Sequence, residues 1–468
     1  MSVLPPVLGA LVLGALTGCV AYQAAPLEPQ HSAEQFAARR LDDSQFRDEL
    51  MRLLPQEVTS WPPQQWDRGE LLAVALLRNP QLSVAQAEVN AALARQITAA
   101  ETPNPDLTLQ SEYSRQETHP WLYGLSLNWL WRSTQRLRLQ QETARLGTLN
   151  VRLKLMEQTW VVRRELVTAL SDWEGARRRL VLLEQLAAAQ DRLVALEQKR
   201  VSAGEDSPGE FVTAEQARIE IEQQRSQIRA AVDVAEAAAA RALGLPPQTL
   251  DGVTFAWTDW GVPPAVRDEE RLEARERALL SRADFGVAIG EYAIAEAGLK
   301  LAVARQYPQF TLGPGYYWDH GIANFPLDVG FTLPVNRNRG EIAEARAARE
   351  LAGKRMLALQ ADIFGDIAAA ERAEDSARAS TDAAEGQLAT VRHQAARVDL
   401  SLRLGASDLR EQVGAEVLTL RAELEVLEVR SQLQAARNSL EDALHTPLSG
   451  PELELAQSSY LASAGAGS

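Results

Sequence analysis

Residues 106–131 read DLTLQSEYSRQETHPWLYGLSLNWLW, and the spacing of their side chains decides the fold. Leu107, Leu109 and Tyr113 alternate with Thr108, Gln110, Glu112 and Ser114. After a polar turn, Tyr123, Leu125, Leu127, Trp129 and Trp131 alternate with Gly124, Ser126 and Asn128. A period of two means two strands, each with one apolar face. Each run is about nine or ten residues, the length a tilted strand needs to cross the hydrocarbon of a bilayer. The window 307–335 carries the same pattern. Phe310, Leu312, Tyr316 and Trp318 stand against Thr311, Gly313 and Gly315, and a return strand sets Leu327, Val329, Phe331 and Leu333 against Asp328, Gly330 and Thr332. Of the 10 Trp, 8 Tyr and 9 Phe in the chain, 12 fall in these two windows, so the aromatics mark the ribbons rather than a general core. Tyr113, Trp121, Tyr123, Trp129, Trp131, Tyr316, Trp318 and Phe331 are therefore expected to face lipid, several of them as an interfacial girdle.

Around the ribbons the chain is written for long helices. No proline occurs in residues 121–207, 209–245 or 335–446, and these stretches are rich in Ala, Leu, Glu, Arg and Gln. Residues 133–201 predict one helix of roughly 69 residues, about 100 Å long, and residues 339–404 a second of nearly equal length. Both end at a glycine turn, 202–208 (SAGEDSP) and 404–408 (LGASD), where Gly ends one helix and Ser caps the next. Beside the turns Leu182, Leu186, Ala189, Leu193 and Leu196, and then Val413, Val417, Leu420, Leu424 and Leu427, follow a 4-3 rhythm, which predicts coiled-coil packing. Helices of that length cannot fold into a globular domain.

Composition removes other classes. With 48 Lys+Arg against 63 Asp+Glu the net charge is −15, which opposes binding to nucleic acid. A single cysteine excludes an internal disulfide or a thiolate cluster. Five histidines without an HExxH spacing leave little for a transition-metal site, and His393 and His445 read as surface residues rather than ligands. The chain has no GxxxxGK[ST] and no GxSxG, no constellation that marks an enzyme, and no call for a cofactor. Beyond the leader no apolar run reaches about 18 residues, so any membrane span must be made of strands.

The leader itself, PVLGALVLGALTGCV from Pro6 to Val20, has the length of a secretory signal's apolar part, although no Lys or Arg precedes it. Its end, Leu16-Thr17-Gly18-Cys19, resembles a bacterial lipobox. That resemblance implies cleavage after residue 18 and lipid, such as palmitate, on Cys19. Val20 is not the aspartate that would retain a lipoprotein at the inner membrane.

The two halves repeat. A shift of about 203 lays residues 79–105 on 282–308, and a shift of 201 lays Gly204 on Gly405 and residues 242–246 on 443–447. The short helices of the first half, 68–101 and 209–243, add up to the length of the rod beside them. They are expected to stack along it, with residues 55–66, 245–264 and the tail after 447 forming a belt at mid-height.

With tandem halves, the Tyr307-Pro308-Gln309-Phe310 approach to the second hairpin, the exit 333–342 (LPVNRNRGEI) and the Gly405 turn, the chain resembles the TolC-like outer membrane efflux family. The exit is particularly similar to the branch that serves heavy-metal cation efflux. The resemblance implies a mainly α fold with a membrane β-barrel. Residues 1–18 would be the signal, 19–67 a lipid-anchored segment, 68–245 and 266–447 two helix–hairpin–helix repeats joined by 246–265, and 448–468 a tail. Four strands cannot close a barrel and an open edge cannot stay in lipid, so three copies are expected to supply a 12-stranded barrel continued by a periplasmic α-barrel. The function implied is a passive conduit from periplasm to exterior in a tripartite efflux system. Its partners would be a periplasmic adaptor and an inner-membrane pump of the resistance-nodulation-division type, and its cargo heavy-metal cations. Drug efflux and type I protein secretion are alternatives within the same channel, and a lipid-anchored periplasmic coiled-coil scaffold is the rival class. Glu411 matches a family gate position and Asp408 lies beside it. Gly204, Glu205, Asp206, Gly405 and Ser407 are the expected adaptor contacts.

Overall fold

The computed structural model describes residue 20, residues 22–54 and residues 60–453. Cys19 and the leader therefore lie outside the described residues, as do residues 55–59 and the end of the tail.

Two short helices, α1 (Pro29–Ala37) and α2 (Ser44–Leu53), come first among the described residues. The sequence pattern predicts neither, yet Phe46 and Leu50 of α2 are fully buried. Next come α3 (Arg68–Arg78) and α4 (Pro80–Ala100), where one helix over 68–101 was expected. The break is at Asn79, whose φ of −67° and ψ of 123° are extended. Pro80 dictates this, because its ring excludes the preceding residue from the helical region. The Asn79 side chain accepts from Gln81 N at 2.9 Å and donates from Nδ2 to the Ala242 carbonyl at 2.8 Å. Only α4 thus continues along the rod, and α3 turns into the mid-height core.

The first hairpin is β1 (Asp106–Tyr113) and β2 (Trp121–Trp131), and the first rod is α5 (Thr134–Ala203), 70 residues without interruption. Ser133 caps α5 by accepting from Arg136 N, and Gly204 ends it at φ 75°. The partner helix α6 (Pro208–Leu243) stops at Gly244, φ 71°. A Cβ added to Gly244 would fall 2.3 Å from the Arg78 carbonyl oxygen, so both backbone angle and space demand glycine there.

The second half brings α7 (Asp268–Ser281), α8 (Ala283–Ala304), β3 (Phe310–Asp319), β4 (Ile322–Asn324), β5 (Leu327–Phe331), α9 (Arg339–Arg403) and α10 (Leu409–Leu444). The return strand expected over 327–333 is divided. Pro326 separates β4 from β5, its carbonyl accepts from Gly315 N at 2.9 Å, and Leu333 lies beyond the last strand. A second joint at Arg282 (φ −70°, ψ 121°) separates α7 from α8, and the Arg282 guanidinium donates to the Ala443 carbonyl at 2.6 Å. The sequence shift that pairs Asn79 with Arg282 is within two of the one that pairs Ala242 with Ala443. Each joint is therefore tied to the C-terminal turn of its half by a side chain bonded to a helix carbonyl.

α5 packs along both α4 and α6 and also against α8 and α10, while α9 packs on α10 and α8. Near the glycine turns Leu183, Leu186, Ala189, Ile221, Val417 and Leu420 form one apolar cluster, in keeping with the 4-3 spacing. The largest core sits at mid-height, where Phe46, Leu71, Leu166, Leu170, Trp173, Leu243, Phe255, Trp257 and Trp260 pack together. Residues 60–66 and 250–261 contribute to it, joined by a short parallel bridge between Trp66 and Phe255. Among the described residues no helix is long and apolar enough to cross a membrane.

Candidate functional site: the two-faced sheet and the charged tip

The strands form one antiparallel sheet in the order β1-β2-β3, with β4 and β5 both on the far edge of β3. Register sorts the side chains into two faces. Leu109 lies opposite Leu125, Leu125 opposite Tyr316, Trp129 opposite Leu312, Trp131 opposite Phe310, and Phe310 opposite Phe331. One face is thus Leu107, Leu109, Tyr113, Trp121, Tyr123, Leu125, Trp129, Trp131, Phe310, Leu312, Tyr316, Trp318, Val329 and Phe331. Most of it is open: Leu109 is 75% exposed, Trp131 63% and Phe331 57%. Aromatic contacts cluster at the two ends of the strands. Tyr113 meets Trp121 at 5.0 Å and Tyr123 stacks on Trp318 at 6.2 Å near the hairpin turns, and Phe310 meets Phe331 at 6.2 Å near the helices.

The opposite face carries Asp106, Thr108, Gln110, Glu112, Ser126, Asn128, Tyr317 and Asp328 among glycines, with Leu122, Leu130 and Ile322 as its apolar members. Tyr317 lies over Gly124, where an added Cβ would come within 2.1 Å of the ring. An exposed apolar surface of this extent has no water-compatible explanation in an isolated chain. β1 and the β4/β5 side also leave unpaired edges.

At the far end of the rods, two arginines gather the acids of the glycine turns. Arg200 on α5 hydrogen-bonds Asp206 and forms ion pairs with Glu205 at 3.6 Å and Asp408 at 3.2 Å. Arg410 on α10 bonds Glu197 of α5 and Glu210 of α6. The hydrogen bond from Arg200 holds the Asp206 carboxyl below the usual carboxylate range, and the Arg200 guanidinium is pushed up in return. Asp408, not Ser407, is the N-cap of α10, accepting from Glu411 N at 2.9 Å. Ser207 occupies the N-cap of α6 without a capping hydrogen bond from its side chain. Ser407 Oγ donates to the Glu411 carboxylate, which lines a cleft of about 830 Å³ with Leu193, Glu197, Val398, Gly414 and Leu418. Gly405 takes φ 76° in the second turn, as Gly204 does in the first. The turn acids and the expected gate are thereby brought together, with Arg200 linking the two turns. Neither arginine was singled out in the sequence, where each reads as one more charge on a solvated helix.

Two charged clusters at mid-height also escape the sequence pattern. Arg163, 5% exposed, donates to Glu441 at 2.5 Å and to Glu452 at 2.8 Å, and Glu452 is 1% exposed. Burial disfavours the Arg163 charge, but the two carboxylates outweigh it and keep its pKa raised. Glu374 is fully buried and faces Arg437 at 2.9 Å, Arg378 at 3.0 Å and Arg271 at 3.4 Å. His445 is no surface residue either. It caps α10 at φ 49° and its side chain is only 6% exposed, stacked on Trp160 at 4.9 Å. Burial, and then the Arg282 charge, push its imidazolium down to about 4.

Residues 71–245 match the family model described as outer membrane efflux protein. Among curated proteins none matches the chain. Solved structures do match its fold. The outer-membrane channel OprN aligns at TM-score 0.66 and 18% identity, covering 81% of this chain and 89% of that one. CusC aligns at TM-score 0.65 and 17% identity, covering 84% and 95%. The outer membrane protein VceC from Vibrio cholerae aligns at TM-score 0.65 and 17% identity, covering 81% and 95%. The rods, the two-faced sheet and the sequence of the first half agree: residues 71–245 are similar to the outer membrane efflux protein family, and the fold of the chain is that of solved outer-membrane channels.

Proposed function

We propose that three copies of this chain close their sheets into one 12-stranded barrel in the outer membrane. The rods would then continue that barrel as a tube into the periplasm. One observation carries the reading: the sheet has a continuous exposed apolar face, a polar face behind it and two unpaired edges. Lipid satisfies the first, water in a lumen the second, and neighbouring copies the third. Residues 68–245 and 266–447 act as the two repeats, and 19–67 follows a signal over 1–18. The turns at Gly204, Glu205, Asp206, Gly405 and Ser407 meet a periplasmic adaptor that couples the tube to an inner-membrane pump. The cargo assigned is heavy-metal cations, on the sequence of the 333–342 exit, and a strain lacking the gene should lose metal tolerance while keeping its response to dyes and antibiotics. Unchanged metal tolerance would remove that cargo.

The particle purified in detergent should have the mass of three chains and conduct ions across a planar bilayer. A monomer without conductance overturns the channel and favours a coiled-coil scaffold. In a closed trimer Glu411 is present three times around one axis, with Asp408 close by, which strengthens attraction for divalent cations. Glu411→Ala should therefore weaken divalent block in the same recordings, and an unaltered block would take Glu411 out of the gate. Cys19 is the lipid anchor of this scheme. Cells fed labelled palmitate should mark the native chain and not Cys19→Ser, and equal labelling of both would refute the anchor.

A further inference from the structure

The joint at Arg282 differs from the joint at Asn79 in one residue that matters. Where α6 ends on Gly244, α10 ends on His445, and both sit in the left-handed region, at φ 71° and 49°. A β-carbon in that conformation is strained against the backbone. The first joint avoids that strain with glycine, and the second keeps an imidazole in spite of it.

The imidazole faces two carboxylates from two other helices, Glu157 on α5 and Asp284 on α8. One ligand atom from each of the three residues lies within 4.8 Å of the other two. His445 Nδ1 is 3.7 Å from Glu157 Oε2, too far for a hydrogen bond. Two ligands of one tetrahedral zinc ion, bonded at about 2.0–2.1 Å, stand about 3.3–3.4 Å apart, so His445 and Glu157 need only a small contraction to share an ion, while the Asp284 oxygen, within 4.8 Å of both, has further to move. Glu157 Oε2 is also a buried oxygen without a hydrogen-bond partner among the described residues. A buried carboxylate oxygen left unbonded is costly, and a cation is the partner that satisfies it best.

The remaining ligand is held as outer-shell groups hold metal ligands. Asp284 Oδ1 accepts from Arg282 Nε at 3.0 Å and from Phe285 N at 2.7 Å, and Oδ2 accepts from Arg282 Nη2 at 2.6 Å. Each carboxylate oxygen has two lone pairs, so Oδ2 keeps one for an ion. Trp160, whose Nε1 donates to Asp442 at 2.8 Å, fixes the imidazole plane by stacking. Arg282 opposes a cation through its charge. Glu157, Asp284 and the nearby Asp442 supply three negative charges against Arg282 and Arg164.

We propose that Glu157, Asp284 and His445 form a binding site for a divalent transition-metal ion, zinc being the type, which ties α5, α8 and the end of α10 together at mid-height. The site lies at the joint between α7 and α8, away from the glycine turns, and it does not depend on the channel reading.

The test uses the purified full chain, stripped with chelator and titrated with zinc sulfate alone. One zinc per chain should remain after dialysis, and the melting temperature should rise with zinc concentration, because an ion that binds only the folded state stabilises it by mass action. His445→Gly places at this position the residue the first joint uses, so it removes a ligand and relieves the backbone. It also loses the stacking on Trp160, so its stability without metal is not the readout; its zinc affinity should fall at least about tenfold. Glu157→Gln, which keeps the side chain's shape, should lose affinity in the same way. Absence of saturable zinc binding by the wild type overturns the proposal. So does undiminished binding by both variants, which would place the ion elsewhere, for example among Glu197, Asp206 and Glu210 at the tip.

Discussion

Leu109→Arg is expected to remove the protein from the outer membrane, while Gln110→Arg, one residue along the same strand, leaves it there. Both side chains are exposed in β1, but Leu109 stands on the face shared with Leu125 and Tyr316, and Gln110 on the face shared with Gly124. An arginine near the middle of a lipid-facing strand costs about 2–4 kcal/mol, and an arginine in a water-filled lumen costs little. Three subunits would triple the first cost, to roughly 6–12 kcal/mol if the copies are additive. The measurement is the amount of trimer in purified outer membranes for the two variants. Equal recovery of both would mean that the apolar face does not meet lipid.

The second large effect is expected far from the membrane. Glu452→Ala should lower stability by about 3–5 kcal/mol, the usual result of breaking a buried pair and leaving its partner charged. Arg163 would keep Glu441 but lose its second carboxylate, and Arg68, 3.9 Å away and 4% exposed, would lose one of its two acids. The control is Glu428→Ala. Glu428 pairs with Arg179 at 2.6 Å, but both side chains are nearly half exposed, so its loss should cost no more than about 1 kcal/mol. Denaturant midpoints of the two variants separate the cases. If Glu452→Ala unfolds no earlier than Glu428→Ala, the buried pair does not hold the fold.

These two predictions differ in how far the sequence foretells them. The face occupied by Leu109 follows from alternation alone, since a period of two leaves a strand no other way to segregate its side chains. The rods are legible for a related reason, in that proline-free runs of strong helix formers have few alternatives. The joints divide along the same line. Pro80 carries the signal for the break at Asn79, which the expectation of one helix over 68–101 passed over, whereas the break at Arg282 has no proline. α1 and α2 are too short for their pattern to stand out, and their formation depends on a core supplied by residues far along the chain. Glu374, Arg163, Arg437 and His445 are the least legible. A charged or polar residue on a long helix reads as solvated until the partner that buries it is known, and those partners lie on other elements. At the tip the sequence offers Asp408 as a gate candidate beside Glu411, with Ser407 as the cap, whereas the structure makes Asp408 the cap. Its bond to Glu411 N and its pairing with Arg200 give it a structural role that Glu411, bonded through Ser407, does not share.

The position of Glu452 also bears on the order of events during biogenesis. It reaches Arg163 across 289 residues of chain. A polypeptide delivered from its N-terminus presents both arginines of that cluster long before the glutamate that neutralises them arrives. The cluster at mid-height is therefore completed only after Glu452 has been delivered, so a chain truncated before residue 452 should unfold at lower denaturant than the full chain.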